Sequence, residues 1–167
     1  MKKIGIYYGS TTGSTQCVAE KIGEKLNVAE TDIKDIAKFS SDEFQNYDVL
    51  ILGTSTWGEG DLQDDWYDAL DEIKNMDLSS KQVALFGCGD GLSYPDSFCG
   101  AMGTLHDSLG GTGCTFIGSV ATDGYDFSDS QSLVDGSFVG LPLDEDNEDN
   151  QTDSRIEAWV EELQNQM

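Results

Sequence analysis

Positive charge is scarce in this sequence. It contains 9 lysines and arginines against 32 aspartates and glutamates, which gives a formal net charge of −23 at pH 7. Because nucleic acids are bound largely through contacts between cationic side chains and phosphates, this composition argues against a nucleic-acid partner. An anionic membrane surface is disfavoured for the same reason. We expect the partners to be basic surfaces of other proteins.

Long apolar runs and metal-binding cysteine patterns are also missing. No run approaches the length of a membrane-spanning helix. The N-terminal Met-Lys-Lys leads directly into an apolar strand pattern, without the features of a signal peptide. We therefore expect a cytoplasmic protein. Its cysteines match no zinc or CxxC spacing, so we predict no metal site and mostly buried, reduced thiols at Cys17, Cys88, Cys99 and Cys114.

Apolar residues alternate between strand-like runs and helical spacing along the whole chain. The predicted strands cover residues 3–8, 29–32, 47–53, 81–87 and 115–120. The predicted helical segments cover residues 13–26, 42–44, 62–75, 98–109 and 155–164. Such alternation predicts an α/β protein, with a doubly wound, five-stranded parallel sheet between helices. The length of 167 residues suits a single domain spanning residues 1–167.

The last predicted strand is interrupted. Residues 121–137 are polar and lack a helical period, whereas residues 138–141 resume a strand-like pattern. We predict an inserted loop of about 20 residues, which is long enough to suggest a function such as partner docking. Residues 144–153 are predicted to form an acidic connector before the final helix, and residues 144–149 within it are predicted to form a solvated turn rather than a calcium site.

Small hydroxyl residues follow the first predicted strand. They form the segment Ser10, Thr11, Thr12, Gly13, Ser14 and Thr15, directly before a helix. Backbone N–H groups at a helix N-terminus bind phosphate, whereas an ordinary helix cap would need one such residue. The segment has no Walker motif and no lysine or arginine. A single terminal phosphate, held by neutral donors, therefore fits it better than a triphosphate.

Two further glycine-rich loops follow the third and fourth predicted strands. We call residues 54–60 the tryptophan loop and residues 88–95 the tyrosine loop, after Trp57 and Tyr94. In a doubly wound sheet the carboxyl ends of the strands share one edge, so these loops should meet the phosphate loop, residues 10–15. Two aromatic residues beside a phosphate loop predict a slot for a flat ring. The alternative is that both are surface aromatics of a partner site.

Together these segments resemble the flavodoxin family, specifically its long-chain type. The similarity covers nearly the whole chain and rests on residues 10–15, 56–62, 87–90 with Tyr94, 122–127 and 136–147. The resemblance implies a flavodoxin-like sheet of order 2-1-3-4-5 and non-covalently bound FMN. It also implies a monomeric, low-potential electron carrier that serves redox enzymes through quinone, semiquinone and hydroquinone states, with no catalytic residue.

The resemblance assigns residues to each part of the flavin. Trp57 should cover the inner face of the ring and Tyr94 the outer face, while Ser10 to Thr15 hold the phosphate. The polar edge of the ring is assigned to residues 56–60 and 88–90, that is, to Thr56, Gly58, Glu59, Gly60, Cys88, Gly89 and Asp90 besides Trp57. Ser55 is a further cofactor-binding residue. Residues at the margin of the site are Ser97, Phe98 and Asp146.

Two features of the loops are expected to tune the flavin. Gly58 stands where the family rotates a peptide toward the reduced ring, which glycine allows with little strain. Acidic residues near the ring should disfavour its anionic reduced form; they are Glu59, Asp61, Asp64, Asp65, Asp90 and Asp96.

The alternative function is that of an FMN-dependent NAD(P)H:quinone reductase, but residues 54–62 and 87–98 contain no cation to hold its nicotinamide nucleotide. A colourless protein would indicate an acidic adaptor instead.

Overall fold

The computed structural model describes residues 2–167; Met1, the first residue of the predicted domain, lies outside that range. Its strands are β1 (Ile4–Gly9), β2 (Ile33–Asp35), β3 (Val49–Trp57), β4 (Asp61–Leu62), β5 (Gln82–Cys88), β6 (Thr115–Ile117), β7 (Val120–Ala121), β8 (Leu133–Val134), β9 (Ser137–Phe138) and β10 (Leu141–Leu143). Its α-helices are α1 (Ser14–Lys25), α2 (Ser41–Phe44), α3 (Trp66–Ile73), α4 (Gly100–Leu109) and α5 (Asp149–Gln166). None of the helices in this range is long and apolar enough to cross a membrane.

The main sheet has the order β10-β5-β3-β1-β2, and these neighbours are all parallel. Strand β6 lies beside the first half of β5, and β10 lies beside the second half. Together β6 and β10 therefore form one interrupted edge strand. The predicted order 2-1-3-4-5 and the interruption of the last strand are both confirmed. The short β4 pairs with the end of β3 and is antiparallel to it.

Each face of the sheet has its own hydrophobic core, because alternate residues of a strand point to opposite faces. Leu50 and Leu52 of β3 pack in one core with residues of α3 and α4. Val49 and Ile51 pack in the other with residues of α1 and α5. All four are fully buried, as expected of a central parallel strand.

Several predicted boundaries are wrong. The edge strand was predicted at residues 29–32, but a 3₁₀ turn occupies Glu30–Asp32 and the strand itself is Ile33–Asp35. Helix α3 begins at Trp66 rather than at Leu62, because Leu62 pairs with Thr56 in the β3–β4 hairpin. The final helix begins at Asp149 rather than at residue 155, and the acidic residue in its first turn suits the positive end of the helix dipole.

The inserted segment, residues 121–137, is more ordered than a loop. Strands β7, β9 and β8 form a small antiparallel sheet in that order. Phe138 was predicted to begin the returning strand, but it lies in β9, opposite Val120 and Leu133. The returning strand begins only at Leu141.

We expect the substitution Lys81→Met to lower the free energy of unfolding by about 2 kcal/mol. Lys81 is 6% exposed, and its Nζ donates hydrogen bonds to the carbonyl of Tyr47 and, at 2.7 Å, to that of Gln45. Burial lowers the pKa of Lys81, and the charge of Asp48 opposes this effect. Methionine keeps the volume but leaves both carbonyls without a donor. Urea unfolding followed by circular dichroism would measure the change.

Lys74→Met provides the control. Lys74 forms an exposed ion pair with Asp71 at 3.3 Å, so its loss should change the free energy of unfolding by less than about 0.5 kcal/mol. Equal stability of the Lys81 variant and the unmodified protein would show that the buried ammonium group contributes no net stability.

Candidate functional site

The phosphate loop opens onto an uncapped helix. Gly13 precedes α1 with a φ of 96°, in the left-handed region that favours glycine, and no described side chain caps the helix N-terminus. The Gly13 amide donates to Ser10 Oγ at 3.0 Å, which folds the loop back on itself. The first turn of α1 contains no acidic residue. Its free amides and the helix dipole are therefore available to an anion.

Thr15 adds a buried hydroxyl group that has no oxygen or nitrogen partner within residues 2–167. It is 0% exposed, and its Oγ1 has no hydrogen-bond partner among the described residues. The thiol of Cys88, at the end of β5, interacts only weakly with this hydroxyl group, and the interaction partly offsets the effect of burial on the pKa of the thiol. An unpartnered buried hydroxyl costs about 1–3 kcal/mol, so a site for an acceptor such as a phosphate oxygen explains it.

Gln63 joins the phosphate loop to the tryptophan loop. Its Nε2 donates to Thr11 Oγ1 at 3.3 Å, and its backbone amide donates to Thr54 Oγ1 at 3.2 Å. The Asp65 amide donates to Gln63 Oε1 at 3.0 Å, so both ends of the carboxamide are used. Gln63 is 3% exposed. Sequence reasoning missed this residue, because a single glutamine in an acidic segment carries no periodic signal.

The tryptophan loop is an extension of the sheet. Strand β3 continues to Trp57, beyond the predicted end at Gly53, and then turns back through glycines with positive φ, Gly58 (53°) and Gly60 (111°). The Trp57 indole Nε1 donates to Ser55 Oγ at 3.0 Å and remains 42% exposed. Its orientation is therefore fixed by a short polar contact, while much of its ring stays open to solvent.

Asp90 organises the tyrosine loop through its side chain. Its Oδ1 accepts hydrogen bonds from the amides of Ser93 at 2.9 Å and Leu92 at 3.2 Å, and from Asn147 Nδ2 at 2.8 Å. These bonds, with the Ser93 amide first, lower the pKa of Asp90. The Asp90 carboxylate therefore stabilises the conformation of the loop. Tyr94, at the end of this turn, is 48% exposed.

A second carboxylate fastens the tyrosine loop to the turn after β10. Asp144 is only 2% exposed, which corrects the prediction of a solvated turn. It accepts the Gly91 amide at 3.0 Å and the Asn147 Nδ2 at 3.0–3.1 Å. One neutral carboxamide therefore bridges Asp90 and Asp144. Desolvation raises the pKa of the neighbouring Asp146, and the charges of Asp90 and Asp144 add to the effect.

The tryptophan and tyrosine loops meet on one side of the site. Ser97 Oγ donates a long hydrogen bond of 3.5 Å to the Gly58 carbonyl. A pocket of about 390 Å³ is lined by residues of both loops and of the inserted segment, including Glu59, Tyr94 and Gln131. Gln63 joins the phosphate loop to the tryptophan loop, and Thr15 of the phosphate loop lies beside Cys88 of the tyrosine loop. The three predicted loops therefore converge at the carboxyl edge of the sheet.

Some predicted residues support the site from beneath. Phe98 is 1% exposed and packs against Phe127 and Phe138, so the structure does not bring it to the open edge. Cys88 is buried, which raises the pKa of its thiol to about 12. A Cβ at Gly89 would lie 2.8 Å from the Cys99 amide, so this backbone contact leaves room only for glycine. Within residues 2–167, no group of three or more metal-ligating side chains is found.

Comparison with known proteins now identifies the family. A family model described as Flavodoxin matches residues 6–159. The chain belongs to the flavodoxin family. The predicted family resemblance is thereby confirmed, and the inserted segment in the last strand is the feature on which the long-chain assignment rests.

Similar flavodoxins come from distant bacteria. The flavodoxin of Synechocystis is 42% identical over 164 residues, covering 98% of this chain and 96% of the relative. Flavodoxin 1 of Azotobacter vinelandii is 44% identical over 170 residues, covering 98% and 97%. The crystal structure of Fusobacterium nucleatum flavodoxin bound to flavin mononucleotide has a TM-score of 0.91 and 31% identity, covering 100% and 99% of the two chains.

We expect Asn147→Ala to lower the free energy of unfolding by about 1–2 kcal/mol, because Asp90 and Asp144 would then face each other without the bridging donor. Amide hydrogen exchange should accelerate at Gly91 and Ser93, which bond to these carboxylates. Asn75→Ala, which removes a single exposed hydrogen bond to the Asp71 carbonyl, should leave exchange in the tyrosine loop unchanged. Unaltered exchange in the Asn147 variant would contradict the bridging role.

Proposed function

We propose that this chain binds FMN non-covalently and carries electrons one at a time between redox enzymes. The observation that carries the proposal is the uncapped N-terminus of α1 with the unpartnered hydroxyl of Thr15, next to two loops with half-exposed aromatic rings. The similarity to a flavodoxin that binds flavin mononucleotide supports it. Because one anion site adjoins two aromatic residues, a flat ring with a phosphorylated tail fits the arrangement.

The residues present fit FMN. We assign the phosphate to the phosphate loop, Ser10 to Thr15, the inner ring face to Trp57, and the outer face to Tyr94. The polar edge of the ring is assigned to backbone groups of Ser55, Thr56, Gly58, Glu59, Gly60, Cys88, Gly89 and Asp90. Ser97 and Asp146 lie at the margin, and Phe98 acts through packing beneath the tyrosine loop.

Bound FMN supplies the redox chemistry, since a flavin can take up one or two electrons. The protein contributes position and electric field. Gly58 lies at a φ of 53°, and its carbonyl accepts one long hydrogen bond, so this peptide is free to change orientation at low cost. A rotation of this peptide would let the Gly58 carbonyl face a proton of the ring.

The electric field near the loops is negative. Glu59, Asp61, Asp64, Asp65 and Asp96 are exposed on or beside the tryptophan and tyrosine loops. A unit charge about 10 Å away, at an effective dielectric constant of ~20, disfavours an added negative charge by ~1.7 kcal/mol before salt screening. Since 1.4 kcal/mol corresponds to ~59 mV for one electron, several such charges support a low potential for the final reduction step.

The same negative charges indicate which kind of protein surface a partner would present. With 32 acidic and 9 basic residues, a basic surface on a reductase or acceptor enzyme offers the complementary charge. We propose transient encounters of a monomer, with association rates that fall as salt concentration rises. All four cysteines are free thiols, which suits the reducing cytoplasm.

The test of the proposed function is uptake of FMN followed by controlled reduction. We expect the apoprotein to take up FMN and become yellow, and photoreduction to pass through the long-wavelength absorbance of a neutral one-electron-reduced flavin. We also expect no steady oxidation of NAD(P)H. Continuous NAD(P)H oxidation with a quinone would establish the reductase instead, and refusal of FMN would support a cofactor-free adaptor.

We expect Thr15→Val to separate phosphate binding from ring binding. Removing the hydroxyl should weaken FMN binding about tenfold and leave binding of riboflavin, which lacks the phosphate, unchanged. The stability of the apoprotein should stay equal or rise, since Thr15 Oγ1 has no partner to lose. Thr104→Val, on an exposed position of α4, is the control. Equal losses for FMN and riboflavin would argue against a phosphate contact at Thr15.

A further inference from the structure

A cavity of about 370 Å³ lies between α5 and the part of the chain that follows β6. Its lining comes from Ser119 and Val120 after β6, residues 123–125 of the inserted segment, Leu141 at the start of β10, and α5. The residues assigned to FMN lie outside this lining. We propose that the cavity is a second binding site, which takes a small aromatic ring that carries a positively charged amine.

Hydrogen bonds connect the two sides of the cavity. Trp159 Nε1 of α5 donates to the Gly118 carbonyl at 2.8 Å, and the Gly118 amide donates to Gln166 Oε1 at 2.9 Å. Arg155 Nη2 donates to the Gly124 carbonyl at 2.8 Å. These bonds hold α5 at a fixed distance from the chain opposite it, so the cavity is formed before any ligand binds. A preformed site avoids the entropic cost of ordering its walls on binding.

Apolar and aromatic side chains make up much of the lining. Trp159 and Leu141 belong to the hydrophobic core on the α5 face of the sheet, whereas Val120 and Tyr125 are half-buried. Ala158 is exposed on α5, and its short side chain leaves space in the cavity. Small-molecule sites are commonly of this size and are lined in this way. The lining therefore suits a flat hydrocarbon ring.

Arg155, the only arginine in the chain, offers little positive charge to an anion in the cavity. Its guanidinium carbon lies 4.0 Å from the centre of the Tyr125 ring. Its Nη1 forms an ion pair with Glu148 Oε1 at 3.2 Å, and the two side chains are 11% and 20% exposed. Because the two charges of this pair oppose each other at close range, Arg155 does not make the cavity an anion site.

Two carboxylates of the lining remain uncompensated, those of Asp123 and Glu162. Both residues are exposed, and neither forms an ion pair within residues 2–167. The Asp123 side chain has no hydrogen-bond partner in that range, and Glu162 Oε1 accepts one bond, from Gln166 Nε2 at 2.7 Å. In a chain with a net charge of −23, these carboxylates attract a cation and repel an anion. An aromatic amine matches both the lining and its charge.

Three probes that share a phenyl ring and differ in charge test this site: phenethylamine, phenethyl alcohol and phenylpropionate. Each is titrated by NMR into isotope-labelled protein that has been loaded with FMN and freed of excess FMN. We expect phenethylamine to shift the Trp159 indole N–H and the Gly124 amide in a saturable way, with a dissociation constant of roughly 1–10 mM. The alcohol should bind about tenfold more weakly, and phenylpropionate should give no saturable shift.

Variants at exposed positions separate the contribution of charge from that of space. Asp123→Asn and Glu162→Gln should each weaken phenethylamine binding about threefold and leave binding of the alcohol unchanged. Glu161→Gln is the matched control, since Glu161 is exposed on the same helix and lies outside the lining. Ala158→Leu should weaken binding of both the amine and the alcohol at least about tenfold, because the larger side chain occupies the cavity.

Equal affinities for phenethylamine and phenylpropionate would overturn the inference, as would shifts of the Trp159 indole that persist in the Ala158 variant. The absence of saturable shifts at amine concentrations well above about 10 mM would overturn it as well. FMN uptake by the Ala158 variant should equal that of the unmodified protein. A protein that refuses FMN but binds the amine would contradict the proposed function alone, since the two sites share no assigned residue.

Discussion

The parallel register of β1, β3 and β5 is the constraint on which the site depends. Gly9 pairs with Thr54, and Ser55 pairs with Cys88, so the three strands end side by side at one edge of the sheet. Strands β1 and β5 end opposite Thr54 and Ser55, and β3 continues for two more residues to Trp57. Because alternate residues of the central strands pack in two different cores, a one-residue shift in register would move each side chain into the wrong core, and the packing therefore fixes the relative positions of the loops.

The loops themselves are held by polar side chains that come from other parts of the chain. Gln63 joins two loops, Asp144 holds the tyrosine loop from beyond β10, and Ser132 caps α4 from the inserted segment. All three are buried. A buried polar group is unfavourable unless its hydrogen bonds are made, so each of these contacts is favourable only in one arrangement of the loops. This gives the glycine-rich edge a defined shape.

The sequence predicts those features that arise from local patterns. Apolar alternation located β1, α1 and the central strands, and the hydroxyl-rich segment before α1 indicated the loop in which Thr15 is unpartnered. The three-residue edge strand β2 was misplaced because it is too short to show a period. The bridging role of Asn147 and the cap from Ser132 were not predicted for another reason: Asp90 lies 57 residues from Asn147, and Gly103 lies 29 residues from Ser132. Long-range polar contacts become visible only in the fold.

At two places in the structure, neutral groups stand where a lysine or arginine would be expected to bind an anion. The phosphate loop has no lysine or arginine, and the paired carboxylates Asp90 and Asp144 are bridged by the carboxamide of Asn147. A cation in either place would hold the negatively charged oxygens more strongly, but it would also cancel negative potential at the neighbouring site proposed for the ring. Amide and hydroxyl groups satisfy the same oxygens and leave the net charge unchanged. In the proposed function, this arrangement offers donors to a phosphate and keeps the negative electric field that disfavours the addition of electrons to the ring.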